Sequence, residues 1–160
     1  MILLLLALAA CSGEGTGPAP APSPAVAPAS PAPAPVAAPA EVGPDGPRAI
    51  AIPADIPKTS AELPMDEATL ARGEAVYTAK GCAACHQFGS KLVGPDLVGV
   101  GDRRTPPWIA RMIARPEIMI KDDPVARKLY GEMMTPMANQ GVAEADLLPL
   151  IAYISHKGAP

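Results

Sequence analysis

Cys82-Ala83-Ala84-Cys85-His86 is the stretch from which the rest of this chain can be read. Two thiols three positions apart are spaced to add to the two vinyl groups of one porphyrin. The next residue, His86, then lies beneath the ring with an imidazole nitrogen for iron. A C-x-x-C-H run of this kind fits covalent attachment of a c-type haem. The same pair of thiols also serves zinc sites and thiol-disulfide enzymes. A structural zinc site wants a second pair of ligands, and outside the motif the chain offers only His156 and Cys11. A thiol-disulfide enzyme expects a βαβ setting, which helix-like, Pro-broken surroundings do not supply. One covalent haem c, held by Cys82, Cys85 and His86, is the expected cofactor.

Working outward, Leu70-Ala71-Arg72-Gly73-Glu74-Ala75-Val76-Tyr77 precedes the motif and reads as a helix. Gly73 and Tyr77, four apart, share one face of it. Near the end of the chain, Leu147, Leu150, Ile151 and Ile154 fall at 3/4 spacing and predict a second helix over 144–155. Pro149 lies inside that pattern and costs helix stability unless it sits in the first turn or at a kink. Between the two, Thr105 can cap a short helix that opens on Pro106 and Pro107, turns Ile109, Met112 and Ile113 inward and stops before Pro116.

This context, over roughly Leu70 to His156, resembles the small, single-haem class I cytochrome c family. The resemblance implies an all-α fold of about four short helices around the haem. It implies that the first helix meets the last, with Gly73 allowing the close approach and Tyr153 opposite it. It also supplies a second axial ligand, methionine, which paired with His stabilises Fe(II) and raises the potential. Met133, Met134 and Met137 are the candidates, on Gly131-Glu132-Met133-Met134-Thr135-Pro136-Met137. The family's separation between ligand and final aromatic matches Met137 and Tyr153, sixteen positions apart, so His86 and Met137 are the expected iron ligands. Pro136 precedes Met137 where the family has a proline following its ligand. Met112 and Met119 read as core fillers.

The segment Gly94-Pro95-Asp96-Leu97 looks like the family's G-P-x-L run beside the proximal histidine. There the Pro95 carbonyl would accept the free N–H of His86, fixing the ring and raising its basicity. By the same resemblance Trp108, or Arg103 with Arg104, would meet a haem propionate; simple packing for the indole and a solvated surface for the arginines are the plainer readings.

Toward the N-terminus, Ile2 to Ala10 is a short apolar run, about half of what a helix needs to cross a bilayer. It ends in Leu8-Ala9-Ala10-Cys11, which looks like a bacterial lipobox, although no Lys or Arg precedes the run. Residues 1–10 are therefore expected to be a lipoprotein signal peptide and Cys11 the lipidated residue, with several acyl chains holding the protein on a membrane. Residues 11–61 form a Pro/Ala-rich linker carrying most of the 22 prolines, a composition that cannot gather a core and favours extended polyproline II. About 45 such residues could reach on the order of 130 Å, so the segment reads as a disordered tether. Residues 62–160 are the expected cytochrome c domain.

With one Trp, one Phe and three Tyr the interior is short of large side chains, and a buried porphyrin would supply the missing bulk. The net charge of −3, without basic runs, excludes nucleic acid as a partner. The expected function is that of a single-electron carrier rather than an enzyme. It would be a lipid-anchored monomer on the periplasmic side of a bacterial membrane, serving redox-protein donors and acceptors such as a quinol-oxidising complex, a terminal oxidase or a reductase of nitrogen oxides. An open-site haem enzyme or a gas or redox sensor is the alternative if Met137 does not ligate iron.

Overall fold

A computed structural model describes residues 42–159 of the chain. The expected signal peptide, the lipid-bearing Cys11 and the linker as far as residue 41 lie outside the described residues. Among those described, six α-helices and no strand occur: α1 (Glu67–Ala79), α2 (Val100–Arg103), α3 (Pro106–Ala114), α4 (Pro116–Asp122), α5 (Pro124–Met133) and α6 (Glu144–Lys157). The all-α class is as expected. The number of helices exceeds the four anticipated, because Pro116 and Pro124 each open a helix instead of only ending one. A proline at the first helical position sacrifices no hydrogen bond, since that N–H has no intrahelical partner.

Helix starts follow from local chemistry. The Asp66 carboxylate accepts the Thr69 amide at 3.0 Å and opens α1, the Thr105 hydroxyl accepts the Trp108 amide at 3.3 Å and opens α3, and the buried Asp123 accepts the Val125 and Ala126 amides and opens α5. Each cap satisfies donors that a helix leaves orphaned at its N-terminus and contributes about 1 kcal/mol.

The core forms where α6 lies against α1 and α3. Leu147, Leu150, Ile151 and Ile154 are all buried, the stripe that the spacing predicts. Pro149 stays within α6, and its carbonyl is pressed against Gly73, where a Cβ would overlap it and would also come within 2.5 Å of the Tyr153 Cβ. The close approach of the first and last helices is thus made by the absence of one side chain. Arg72 and Asp146 tie the same two helices at the surface, 2.7 Å apart.

The folded unit reaches further toward the N-terminus than composition suggests. Ile50 and Ile56 are buried in the core and Ile52 packs against it, so the folded unit already includes residues ahead of the boundary expected after residue 61. The prolines here make turns, not a spacer: the Pro47 carbonyl accepts the Ile50 amide at 3.2 Å and the Pro53 carbonyl accepts the Ile56 amide at 3.3 Å. The three isoleucines have neither helical nor strand periodicity, which hides them from pattern reading.

Candidate functional site

A cavity of about 410 Å³ lies among the helices, and the sequence-selected residues line it from separate parts of the chain. Cys82, Cys85 and His86 come from a single 3-10 turn, Cys82–Ala84, and the residues just after it. Gly81 enters that turn at φ +68°, a conformation that glycine adopts without strain. Tyr77 of α1, Met112 and Ile113 of α3, Leu129 of α5 and Leu150 of α6 line the same space. Its walls are mostly hydrocarbon, with Val93 and Tyr130 both on its lining and 44% and 42% exposed.

His86 is held from three sides. Its Nδ1 is 3.0 Å from the Pro95 carbonyl oxygen, the contact that the G-P-x-L run suggested. With Nδ1–H donating there, Nε2 is left with its lone pair free for a metal. Gly94 lies flat against the ring: a Cβ would sit 2.5 Å from Cε1 and 2.8 Å from Nδ1. The Tyr77 hydroxyl donates to the His86 carbonyl at 2.9 Å. Burial pushes the Tyr77 phenol up to about 12, with Cys82 nearby adding to the shift, so the hydroxyl remains a donor through neutral pH. In the sequence Gly94 stands only as part of the G-P-x-L run and Tyr77 only on a helix face with Gly73; their contacts with His86 depend on the fold, although a glycine directly before Pro95 is the available signal.

The loop after His86 is braced by Asp96, whose carboxylate accepts the Gly89 amide at 2.8 Å and the Val98 amide at 2.9 Å. These two backbone donors hold it below the usual carboxylate range. Burial has the opposite effect on the Cys82 thiol, which it pushes up. Thiol-disulfide enzymes depend on a lowered thiol pKa, so the environment of this pair runs against that chemistry. Among the described residues no three His, Cys, Asp or Glu side chains converge as a zinc cage would need.

One of the three methionine candidates separates from the other two. Met137 and Met133 line the cavity and are half-buried. Met134 ends α5 at φ +52°, is 80% exposed and does not line the cavity. The loop that carries Met137 is fastened at its far end, where Asn139 donates to the Ala114 carbonyl at 2.9 Å and Lys80 donates to the Gly141 carbonyl at 2.7 Å. Neither brace had a signal in the sequence, since each joins residues distant along the chain.

Trp108 is 6% exposed and lines the cavity, and its Nε1–H has no hydrogen-bond partner. A buried donor without an acceptor costs about 1–3 kcal/mol, so an anionic group in the cavity would relieve it. Arg104 lies over the indole, 5.2 Å from its centroid. Arg103 also borders the cavity, but its guanidinium donates to the Asp96 and Val98 carbonyls and so braces the loop.

Residues 70–157, more than half of the chain, match the profile of the Cytochrome c family. The chain belongs to the cytochrome c family. Among solved structures, cytochrome c from Rhodothermus marinus is similar at 28% identity, over 59% of this chain and 81% of that one, with a TM-score of 0.56. An engineered cytochrome c from the same organism, bound to a carbene intermediate, is similar at 28% identity over the same shares with a TM-score of 0.53. No curated protein shows significant similarity to the chain. As a member of this family the cytochrome carries covalently bound haem c and moves electrons. The residues present fit that group: an apolar cavity beside two cysteines, an imidazole with one nitrogen free, and an orphaned buried donor suited to a carboxylate.

Proposed function

We propose that this cytochrome c is a single-electron carrier whose haem is attached at Cys82 and Cys85 and ligated by His86 and Met137. The observation that carries the reading is the convergence of those four side chains on one apolar cavity, from a turn near the middle of the chain and a loop near its end. Haem c supplies a one-electron couple at its iron when bound. The protein's part is to hold that couple still. Pro95 and Gly94 fix the imidazole plane, Asn139 and Lys80 fix the loop bearing Met137, and the hydrocarbon walls exclude water. A coordination shell that does not rearrange between redox states keeps electron exchange fast, and a filled sixth position keeps small gases and peroxide from the iron. No general acid, base or nucleophile is required. Val93 and Tyr130, exposed at the cavity, offer an apolar rim over which a redox partner can approach without bonding to iron.

The lipid and location belong to the same proposal. Cys11 carries the anchor, the Pro/Ala-rich segment ahead of Val42 is the tether, and the domain works on the periplasmic side of a bacterial membrane, exchanging electrons with a respiratory complex, oxidase or reductase. Among the described residues no helix is long and apolar enough to cross a membrane. Cys11→Ser should release the protein from the membrane fraction; retention in that fraction would contradict lipidation as the anchor.

The ligand assignment is tested by oxidised spectra of Met137→Ala, Met133→Ala and Met134→Ala. The weak methionine-to-iron charge-transfer band at the red edge of the visible range should disappear in Met137→Ala alone. Its loss in Met133→Ala instead would reassign the ligand. Its absence from the unmodified protein would open the iron and favour a haem enzyme or a gas or redox sensor.

A further inference from the structure

The segment before residue 58 lies outside the family match, yet it is fastened to the helix that carries Trp108. Arg111 on α3 is 9% exposed, and its guanidinium donates to three backbone carbonyls. Nε donates to Ile50 at 3.1 Å, and Nη1 donates to Asp45 at 2.7 Å and to Pro107 at 3.4 Å. Two of those acceptors belong to the N-terminal segment. The Thr105 hydroxyl makes a longer contact to the Pro44 carbonyl, 3.4 Å. A buried cation satisfied by backbone carbonyls defines where that backbone must run, because each lost contact would leave a desolvated charge.

What this fastening places is a tight turn against the indole. Gly46 donates to the Gly43 carbonyl at 3.0 Å and has φ +84°. A Cβ there would sit 3.4 Å from Trp108 Cδ1 and 3.2 Å from Met119 Cε. Cδ1 is bonded to Nε1, so the turn abuts the polar edge of the indole. Trp108 also borders a second groove, of about 490 Å³, between this segment and the start of α3. Without the turn the indole would be free to shift toward that groove and away from the haem cavity, which it also lines.

We propose that the segment Val42–Pro57, which does not itself line the haem cavity, supports the haem site through Trp108, and that Arg111 is a positioning residue which latches it so that the Trp108 N–H stays aimed at a haem propionate. The inference rests on the haem reading above and goes beyond it by assigning a task to residues outside the family match. Arg104 lies over the ring, Arg103, Lys58, Asp102 and Asp123 line the groove, and Asp45 and Arg48 are the charged groups acting on Arg111. None of them hydrogen-bonds to Nε1.

The test is the pH dependence of the haem midpoint potential, measured on the full haem-loaded chain. The proteins are unmodified, Arg111→Ala, Gly46→Ala, Trp108→Phe, and Arg111→Ala with Trp108→Phe. An N–H donor favours the ionised propionate, so losing it raises the propionate pKa. The inflection of the profile should therefore move to higher pH, on the order of one unit, in all three single variants. The double variant should show no further shift, since both changes act through one hydrogen bond. An unshifted inflection in Arg111→Ala and Gly46→Ala, or a double variant in which the shifts add, would overturn the proposal. So would an unshifted Trp108→Phe. Should Arg111→Ala fail to accumulate with haem, Gly46→Ala and Trp108→Phe decide the matter. The visible spectrum of each protein keeps the two readings apart: loss of the methionine band from the unmodified protein sinks the ligand assignment whatever the profile does.

Discussion

Gly94 and Tyr77 show how much of the site depends on residues that hold His86 in place without ligating iron. A methyl group on Gly94 would collide with the imidazole of His86, so Gly94→Ala must either tilt the ring away from the Pro95 carbonyl or push the loop outward. Overpacking of this kind costs about 1–3 kcal/mol. The variant should lose that much in chemical denaturation and show a mixed-spin spectrum; unchanged spin state would mean that the ring tolerates displacement. Tyr77 gives a pH signature. Its phenol is held at about 12 in the folded protein against 10.0 when unfolded. Once Cys82 is a thioether it no longer adds to that shift, and burial with the neighbouring Tyr153 sustains it. A group whose folded pKa is raised contributes stability that is complete below the unfolded value and lost as pH rises through the folded one. Stability should therefore fall as pH rises above 10, and Tyr77→Phe should flatten that fall while losing about 1 kcal/mol at neutral pH with its hydrogen bond to the His86 carbonyl. An equally steep alkaline loss in Tyr77→Phe would assign the effect elsewhere.

The helices divide by how plainly they announce themselves. α1 and α6 are readable because their contact is written in spacing: Gly73 with Tyr77, and the stripe Leu147, Leu150, Ile151 and Ile154. α3 is readable from its cap and its paired prolines. The others are not. α2 has four residues, too few for a period to show, and α4 and α5 begin on prolines that also look like breaks. Of the site, the attachment turn, Pro95 and Trp108 were visible as residue types in a pattern, whereas the braces from Lys80 and Asn139 depend on where distant segments come to rest. The α1–α6 contact is open to a direct test. Gly73→Ala places a methyl group into the Pro149 carbonyl and the Tyr153 side chain, with no flexible tip to give way. A loss of about 3 kcal/mol in urea unfolding is expected. A loss under about 0.5 kcal/mol would mean that the two helices can separate freely.

Among the described residues, the haem-binding unit begins in what composition labels a tether. Prolines misled there because the same residue that keeps a spacer extended also makes the turns that bring Ile50 and Ile56 inward. A chain beginning at Val42 should fold as the full one does, whereas one beginning at Lys58 gives up two buried isoleucines and two acceptors of Arg111. Burial of each isoleucine contributes about 1.5–3 kcal/mol, so the shorter chain should be less stable by about 3 kcal/mol or more. The Lys58–Asp45 pair, 3.9 Å apart and largely exposed, adds little to that difference. Equal unfolding midpoints for the two chains would return the segment to the tether.

The proposed electron carrier requires a haem whose iron has both axial positions filled by the protein. The measurement that reaches this claim most directly is the visible spectrum of the purified, reduced protein before and after addition of carbon monoxide. A sharp low-spin c-type spectrum that carbon monoxide leaves unchanged is the predicted result. A spectrum that shifts promptly to a carbon monoxide adduct would show an accessible iron and contradict the closed electron carrier described here.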